Sequence, residues 1–169
     1  MLKWQKTQRL VGSADPRWII EHLFLDSLLF LKVLPAHVGS LLDLGAGAGV
    51  PGIPIKLVRR DLALVLVESR RRRASFLSAV IRELGLDGVR VINARAEKIR
   101  ERIEVDAVVM RCAGPVEELR AAARTFVRPG GMIVAAGPPE ARPSGAGHWI
   151  EVADPVSGRG RRFLVLRCT

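Results

Sequence analysis

The most constraining feature of this sequence is a glycine-rich run that directly follows a short apolar segment, Leu41–Leu44. The segment carries a carboxylate near its end, and four glycines follow within eight residues: Gly45, Gly47, Gly49 and Gly52. This order predicts a strand, a tight loop and the start of a helix. Backbone N–H groups at such a helix start favour a nucleotide-like ligand. The alternative is a plain strand-to-helix turn in which the glycines serve packing.

A second acidic residue supports the ligand hypothesis. The continuous apolar run Leu62–Val67 predicts a strand that is buried on both faces of a parallel sheet, and it ends in Glu68. In α/β nucleotide-binding folds, an acidic residue that closes the second strand hydrogen-bonds the ribose of the ligand.

The rest of the chain alternates apolar strand patterns with helical patterns or turn clusters, which predicts an α/β fold with a mostly parallel seven-stranded sheet. The last two strands are joined without a helix and must therefore form an antiparallel hairpin. The predicted strands span residues 41–44, 62–67, 89–92, 106–110, 132–136, 148–152 and 162–167, and the main helices span 16–34, 53–59, 70–84 and 116–127. We predict a single domain, 1–169, made of an N-terminal helical lead-in (1–36), a cofactor-binding βα core (37–136) and a C-terminal loop and hairpin (137–169).

Local signals refine the helices. Residues 1–14 are polar and basic and are predicted to be a partly ordered lead-in, after which Asp15 caps a helix with Pro16 at its first position. In the helix over residues 70–84 we expect Ser69 to be the cap and Leu84 to face the core. His22 and Asp26 share one face of the first helix, and we favour an exposed pair over a general base with its orienting carboxylate.

The charge of the chain indicates an anionic partner. There are 27 Lys and Arg against 17 Asp and Glu, a net charge of +10. Such an excess favours nucleic acid, although a generally basic proteome is the alternative. Two cysteines and three histidines form neither a disulfide framework nor a metal-ligand spacing. No apolar run is long enough to cross a bilayer and no signal peptide is evident, so we expect a soluble, cytoplasmic protein without a metal.

Three ligand classes compete for the glycine site. The residues from Gly47 to Gly52 satisfy the dinucleotide pattern G-x-G-x-x-G. A nucleoside triphosphate is disfavoured because the loop has no Gly-Lys-Ser/Thr. The longer form Asp-x-Gly-x-Gly-x-Gly, which begins at Asp43, resembles the first motif of class I S-adenosylmethionine-dependent methyltransferases, which have a Rossmann-like fold. The same resemblance extends to a Gly-Gly turn before the fifth strand and to the closing hairpin.

The residues after the fourth strand bear on the methylated atom. An Asn/Asp-Pro-Pro-aromatic turn, typical of amino-group methyltransferases, is absent here. Cys112 is a conceivable nucleophile for a cytosine C5 enzyme, but Arg111 precedes it where those enzymes carry proline. We therefore interpret Cys112 as a packing residue, and no catalytic residue is predicted.

Motifs along nearly the whole chain resemble the GidB/RsmG family, which methylates N7 of a guanine in bacterial 16S ribosomal RNA. The most specific is Gly-Val-Pro-Gly-Ile-Pro at residues 49–54. The others are Lys-Trp-Gln-Lys-Thr at 3–7, Asp15-Pro16, Leu-Asp-Ser at 25–27, Glu68-Ser69 with Arg72-Arg73 and Phe76-Leu77, Arg-Ala-Glu at 95–97, and Arg111.

The motif and the resemblance together imply S-adenosylmethionine as cofactor and RNA, either 16S rRNA or the small ribosomal subunit, as partner. Glu68 is expected on the ribose, Ala96 and Glu97 near the adenine, and Arg111 at the mouth of the pocket. The predicted cofactor residues are Asp43, Gly45, Gly47, Val50, Glu68, Ala96, Glu97 and Arg111, and the predicted RNA-binding residues are Arg72, Arg73, Arg111 and Arg162.

The chain departs from the family pattern near the expected RNA-binding parts. His22 stands four residues before Asp26 where the family commonly has three, and Ala136-Gly137-Pro138 replaces Leu-Lys-Gly. Two alternatives to the rRNA methyltransferase therefore stay open. One is a divergent relative that uses the cofactor on another RNA or on a small molecule, and the other is a non-catalytic RNA-binding protein.

Overall fold

The computed structural model describes residues 1–8, 10–111, 121–137, 147–155, 158 and 160–169. One sheet of seven strands runs through these ranges. The strands are β1 (Ser40–Leu44), β2 (Ala63–Val67), β3 (Val89–Ile92), β4 (Val105–Arg111), β5 (Val127–Ala136), β6 (His148–Ala153) and β7 (Gly160–Arg167).

The strand order is β3-β2-β1-β4-β5-β7-β6. The first five strands pair in parallel, whereas β7 lies antiparallel to both β5 and β6. The predicted mostly parallel sheet with an antiparallel C-terminal hairpin is therefore confirmed. The last strand of the chain lies inside the sheet, between β5 and β6, and this order was not predicted.

Short helical segments precede and connect the strands. Between residues 16 and 32 the backbone is helical throughout, but a π-helix, Ile20–Leu25, interrupts it. Asp15 caps this stretch as predicted, because its carboxylate accepts a hydrogen bond from the N–H of Arg17 at 3.0 Å. The α-helices are α1 (Leu2–Gln8), α2 (Pro16–Ile19), α3 (Asp26–Leu28), α4 (Gly52–Val58) and α5 (Arg71–Glu83), and 3-10 helices span Leu29–Lys32 and Ala96–Lys98.

Within the predicted lead-in, the first residues form the helix α1. The buried side chain of Gln5 holds the following segment, since its amide nitrogen donates to the carbonyl oxygens of Val11 (2.6 Å) and Ser13 (3.2 Å). Trp4 packs edge-on against Phe76 of α5, with ring centroids 5.6 Å apart. These contacts supply partners that the polar composition of the segment did not reveal.

Apolar side chains cover both faces of the sheet. One face packs against the N-terminal helices, α4 and α5, and here the rings of Phe30 and Phe163 meet at 4.8 Å. The other face includes Phe126, Ile133 and Leu164. The N-terminal helical segments thus share the main core with the glycine run, which fixes their position relative to it.

Two expectations about α5 were wrong. Arg70 is the N-cap, and its side chain makes no capping hydrogen bond, so Ser69 does not cap this helix. Leu84 is 49% exposed, because it follows the last turn of α5 rather than facing the core.

Strand β5 begins earlier than predicted. The segment Arg128–Gly131, expected to be a turn, lies within β5, and the pairing with β4 shifts register there. A β-carbon at Gly131 would lie 2.6 Å from the carbonyl oxygen of Asp106, so this close backbone approach requires glycine. In the predicted helix over 116–127, residues 121–124 are helical and 116–120 lie outside the described residues.

Candidate functional site

The carboxyl ends of β1, β2 and β4 meet at one edge of the sheet, and the glycine run lies there. The N–H groups of Gly45 and Ala46 both donate to the carbonyl oxygen of Val67, at 2.9 and 3.0 Å. These two bonds fasten the run to the end of the neighbouring strand β2. Edges of this kind are where open α/β sheets bind ligands.

Asp43 fixes the far end of the glycine run. Its carboxylate is 1% exposed, and Oδ2 accepts a hydrogen bond from the N–H of Gly52 at 2.8 Å. A β-carbon at Gly52 would lie 2.8 Å from that same oxygen, so glycine is required at this close approach. Burial raises the pKa of Asp43 to about 7, although the bond from Gly52 opposes the shift. Within the described residues, Asp43 Oδ1 is buried without a hydrogen-bond partner.

Glu68 fixes the near end of the glycine run. Its carboxylate is 5% exposed, and it accepts hydrogen bonds from the N–H of Gly47 (2.9 Å) and the N–H of Arg70 (2.7 Å). The amide of Asn93 donates to the carbonyl oxygen of Glu68 at 2.8 Å and so holds its backbone. Glu68 therefore joins the glycine loop to Arg70, the N-cap residue of α5.

The loop leaves open space above Gly45. This exposed residue has a φ of +77°, and a β-carbon placed on it would meet nothing within 4 Å. The N–H groups of Gly45, Ala46 and Gly47 already donate to Val67 and Glu68. It is therefore the open space above Gly45, next to the carboxylate of Glu68, that fits the ribose and amino acid parts of an adenosyl ligand.

The other predicted cofactor residues lie around the same edge. Ala96, half-buried, and Glu97, exposed, begin the 3-10 helix that follows β3, the strand next to β2. Val50 lines an apolar groove of about 440 Å³ that runs between the π-helix, α4 and α5. Gly45, Gly47 and Glu68 do not line this groove, so Val50 is the one member of the predicted set that faces it.

The arginines at the start of α5 differ in their surroundings. Arg72 is exposed, whereas Arg73 is half-buried, and its Nη1 would lie 3.6 Å from a β-carbon placed on Gly47. Arg73 thus reaches back over the glycine loop, and Arg72 faces solvent.

Arg111, at the end of β4, contacts the N-terminal helical stretch. Its guanidinium lies 3.3 Å from the carboxylate of Asp26 and donates to the carbonyl oxygens of His22 and Leu23. Arg161, at the start of β7, lies 3.4 Å from the other oxygen of Asp26. One half-buried carboxylate is therefore shared by two arginines from different strands.

Sequence reasoning missed Arg161 and selected its neighbour. Arg162 forms an ion pair with Glu151 of β6 at 3.0 Å. Because successive residues of a strand face opposite sides of the sheet, Arg161 faces the N-terminal helices and Arg162 faces away from them. The alternation of side chains along β7 is the signal that distinguishes the two arginines, once it is known which face the helices cover.

His22 and Asp26 do not form the pair considered above. Nδ1 of His22 lies 3.2 Å from the carbonyl oxygen of Trp18, and the imidazole stacks on the Trp18 ring. His22 lies within the π-helix Ile20–Leu25, and Asp26 directly follows that segment. A π-helical segment accommodates one additional residue within an α-helix. Asp26 consequently contacts Arg111 and Arg161 despite the longer spacing. Cys112 lies outside the described residues.

Neither metal ligands nor membrane helices are found in the parts of the chain that the structure describes. No group of three or more His, Cys, Asp or Glu residues is arranged to hold a metal ion there. None of the helices there is long and apolar enough to span a bilayer.

Comparison with known sequences gives a consistent family match. The family model described as GidB, rRNA small subunit methyltransferase G, matches residues 1–137. Proteins named ribosomal RNA small subunit methyltransferase G are 39% identical over 140 residues in Myxococcus xanthus and 36% identical over 135 residues in Xanthomonas campestris. Each alignment covers 80% of this chain, and the chain spans 63% of the length of these relatives.

Solved structures share the fold. A SAM-dependent methyltransferase from Aquifex aeolicus aligns with a TM-score of 0.67 at 19% identity, over 92% of this chain and 94% of that one. TrmN from Thermus thermophilus aligns with a TM-score of 0.65 at 19% identity, over 85% of this chain and 48% of that one. These likenesses show the Rossmann-like methyltransferase fold, and the sequence match shows that the chain belongs to the GidB family, rRNA small subunit methyltransferase G.

Proposed function

We propose that this chain is an S-adenosylmethionine-dependent methyltransferase that methylates N7 of a guanine in 16S ribosomal RNA. One observation carries the proposal: Asp43 and Glu68 hold the two ends of a glycine loop that opens at Gly45. Membership of the GidB family and the names of the relatives support the choice of reaction and of RNA.

In this proposal the edge of the sheet is the cofactor site. Glu68 has one lone pair of each carboxylate oxygen left to accept from ribose hydroxyls, since each oxygen already accepts one backbone N–H. Ala96 and Glu97 lie after the neighbouring strand, where the adenine would extend. The bound cofactor supplies a methyl group on a sulfonium sulfur.

Guanine N7 needs little acid–base help. It has a free lone pair and no proton to lose, so the protein must mainly align the nitrogen with the methyl group and the leaving sulfur. Alignment of this kind contributes up to about 7–11 kcal/mol in favourable intramolecular reactions. This agrees with a site in which no general base is identified among the residues that the structure describes.

The product guanine is cationic, so the site must also tolerate positive charge close to its arginines. Asp26 neutralises part of the charge of Arg111 and Arg161 at the mouth of the site. We propose that Arg72 and Arg73, at the start of α5, and Arg162 contact RNA phosphates. The net charge of +10 favours binding of the polyanion as a whole.

Two experiments test the proposal in order. Calorimetric titration with S-adenosylmethionine should show one site, and titration with a nicotinamide dinucleotide should show none. Incubation with small ribosomal subunits that lack the modification should then transfer one methyl group. Cofactor binding with transfer only to another RNA or to a small molecule would favour the divergent relative, and RNA binding without cofactor binding would favour a non-catalytic protein.

A further inference from the structure

We propose that the ring pair formed by Trp18 and His22 is a stacking platform for an unpaired base of the RNA, next to the edge of the sheet where transfer takes place. The inference rests on the proposed function, because it names a contact that the RNA substrate makes beside the same site.

The two rings already form a flat stack. Their centroids lie 5.0 Å apart and their planes differ by 6°. Trp18 is half-buried and His22 is exposed. The carbonyl oxygen of Trp18, 3.2 Å from Nδ1 of His22, orients the imidazole when that nitrogen carries the proton. The stack is therefore ordered before any ligand arrives, and the imidazole presents its ring at the surface.

The platform is tied to the candidate site through Arg111. The guanidinium donates hydrogen bonds to the carbonyl oxygens of His22 and Leu23, so it holds the backbone of the residue that carries the exposed imidazole. Arg111 is the last residue of β4, whose carboxyl end lies beside the end of β1. A base stacked on His22 would thus belong to a nucleotide close to the one that enters the cofactor site.

The surrounding charges suit a nucleotide. Arg111 and Arg161 lie beside the platform, where both contact the carboxylate of Asp26, so two positively charged side chains are close to it. Arg17 adjoins Trp18 in the chain; its side chain is 86% exposed and forms an ion pair with Glu21 at 3.0 Å. Sequence-tolerant binding of single-stranded RNA combines such a positive surface with aromatic rings on which bases stack.

A purely structural role for the ring pair predicts different consequences. Ring pairs one helical turn apart stabilise a helix only slightly. Replacing either ring would then lower the stability slightly and leave RNA kinetics unchanged. A stacking platform instead predicts a loss that appears in the KM for RNA.

The first experiment compares methyl transfer to unmodified small subunits by wild type and by Trp18→Leu and His22→Ala variants. Loss of one base–aromatic stack should raise the KM for the subunits by about 5- to 100-fold, with a smaller change in kcat. His22→Phe, which keeps an aromatic ring, should restore a KM near the wild-type value. Ile20→Ala, an exposed apolar substitution on the same helix, is the matched control and should leave KM unchanged.

The affinity for S-adenosylmethionine, measured by calorimetry, should be unchanged in all four variants. If wild type methylates the subunits while Trp18→Leu and His22→Ala keep a KM within about twofold of wild type, the platform is refuted and the proposed function stands. An equal fall in thermal stability and activity that His22→Phe does not rescue would also refute it.

A second experiment is independent of methyl transfer. The intrinsic fluorescence of wild type and of Trp18→Leu is measured during titration with single-stranded polyadenylate, and the difference isolates Trp18 from the other tryptophans. A base stacked on His22 changes the surroundings of the Trp18 ring that the imidazole contacts, which predicts a change in the Trp18 emission that double-stranded RNA of equal charge does not produce. This change supports the platform even if no guanine is methylated, and its absence contradicts the platform whatever the enzyme does.

Discussion

Arg111, at the end of β4, lies 3.3 Å from the carboxylate of Asp26 in the N-terminal helical stretch. Arg161 of β7 lies 3.4 Å from the other oxygen of that carboxylate. The three side chains join the first helices to two strands at the edge where the glycine run lies. This ion-pair cluster ties the N-terminal helices to the edge of the sheet beside the candidate site.

Removing the carboxylate from this cluster should destabilise the fold. In Asp26→Ala, two half-buried guanidinium groups would face each other without their shared anion, and we expect the free energy of unfolding to fall by about 1–3 kcal/mol. Urea unfolding measures the change. The matched control is Glu151→Ala, which breaks an exposed pair with Arg162 and should cost less than about 1 kcal/mol. Equal losses in the two variants would contradict the structural role of the cluster.

Glu68→Gln should weaken binding of S-adenosylmethionine. A neutral amide can still accept one backbone N–H, but it loses the charge-assisted bonds expected to the ribose, which predicts a Kd higher by about 10- to 100-fold. Calorimetry measures the Kd. Glu104→Gln, which removes an exposed carboxylate paired with Arg102, should bind as wild type does. An unchanged Kd in Glu68→Gln would remove Glu68 from the proposed site.

The buried carboxylate of Asp43 predicts a dependence of stability on pH. Burial raises its pKa from 3.8 to about 7, so between about pH 4 and pH 7 the folded chain binds a proton that the unfolded chain has released. The contribution of Asp43 to the free energy of unfolding is therefore fully present below pH 4 and is lost as the pH rises through 7. The loss is at most on the order of 4 kcal/mol.

Asp43→Asn isolates this effect, since its amide oxygen can still accept from the N–H of Gly52. The free energies of unfolding of wild type and variant are measured across pH 4–8. Wild type should lose stability relative to the variant as the pH rises. If the difference in free energy of unfolding between the two proteins does not change with pH, Asp43 has an ordinary pKa in the folded chain.

Gly52→Ala should be destabilising, whereas an exposed glycine elsewhere should tolerate the same change. The added carbon would lie 2.8 Å from both Asp43 Oδ2 and Leu66 Cδ2, and overpacking of this kind costs about 1–3 kcal/mol. Gly12 has nothing within 4 Å of the added carbon, so Gly12→Ala should change stability by less than about 0.5 kcal/mol. Thermal unfolding of the two variants provides the comparison.

The sequence predicts best what depends on local pattern. The order of strand, glycine loop and helix around Asp43, and the acidic end of β2 at Glu68, follow from neighbouring residues and agree with the structure. The functional roles of these residues stay predictions until a ligand is bound.

Contacts between distant segments were not predictable in the same way. The choice of Arg161 over Arg162 as the partner of Asp26 depends on which face of β7 the N-terminal helices cover, and no local pattern encodes that face. The segment after α1 is held by Gln5, whose amide donates to the carbonyl oxygen of Val11. The contact of Glu68 with the N–H of Arg70 likewise depends on the turn that brings its carboxylate back to the start of α5.

The most direct test of the central claim is to map the methylated atom. Small ribosomal subunits that lack the modification are incubated with the protein and methyl-labelled S-adenosylmethionine, and the 16S RNA is then treated by reduction and strand scission specific for N7-methylguanine. We predict label and scission at a single guanine with wild type, and a strong reduction of both with Glu68→Gln. Label at another atom, or cofactor binding without transfer to the RNA, would contradict the proposed function.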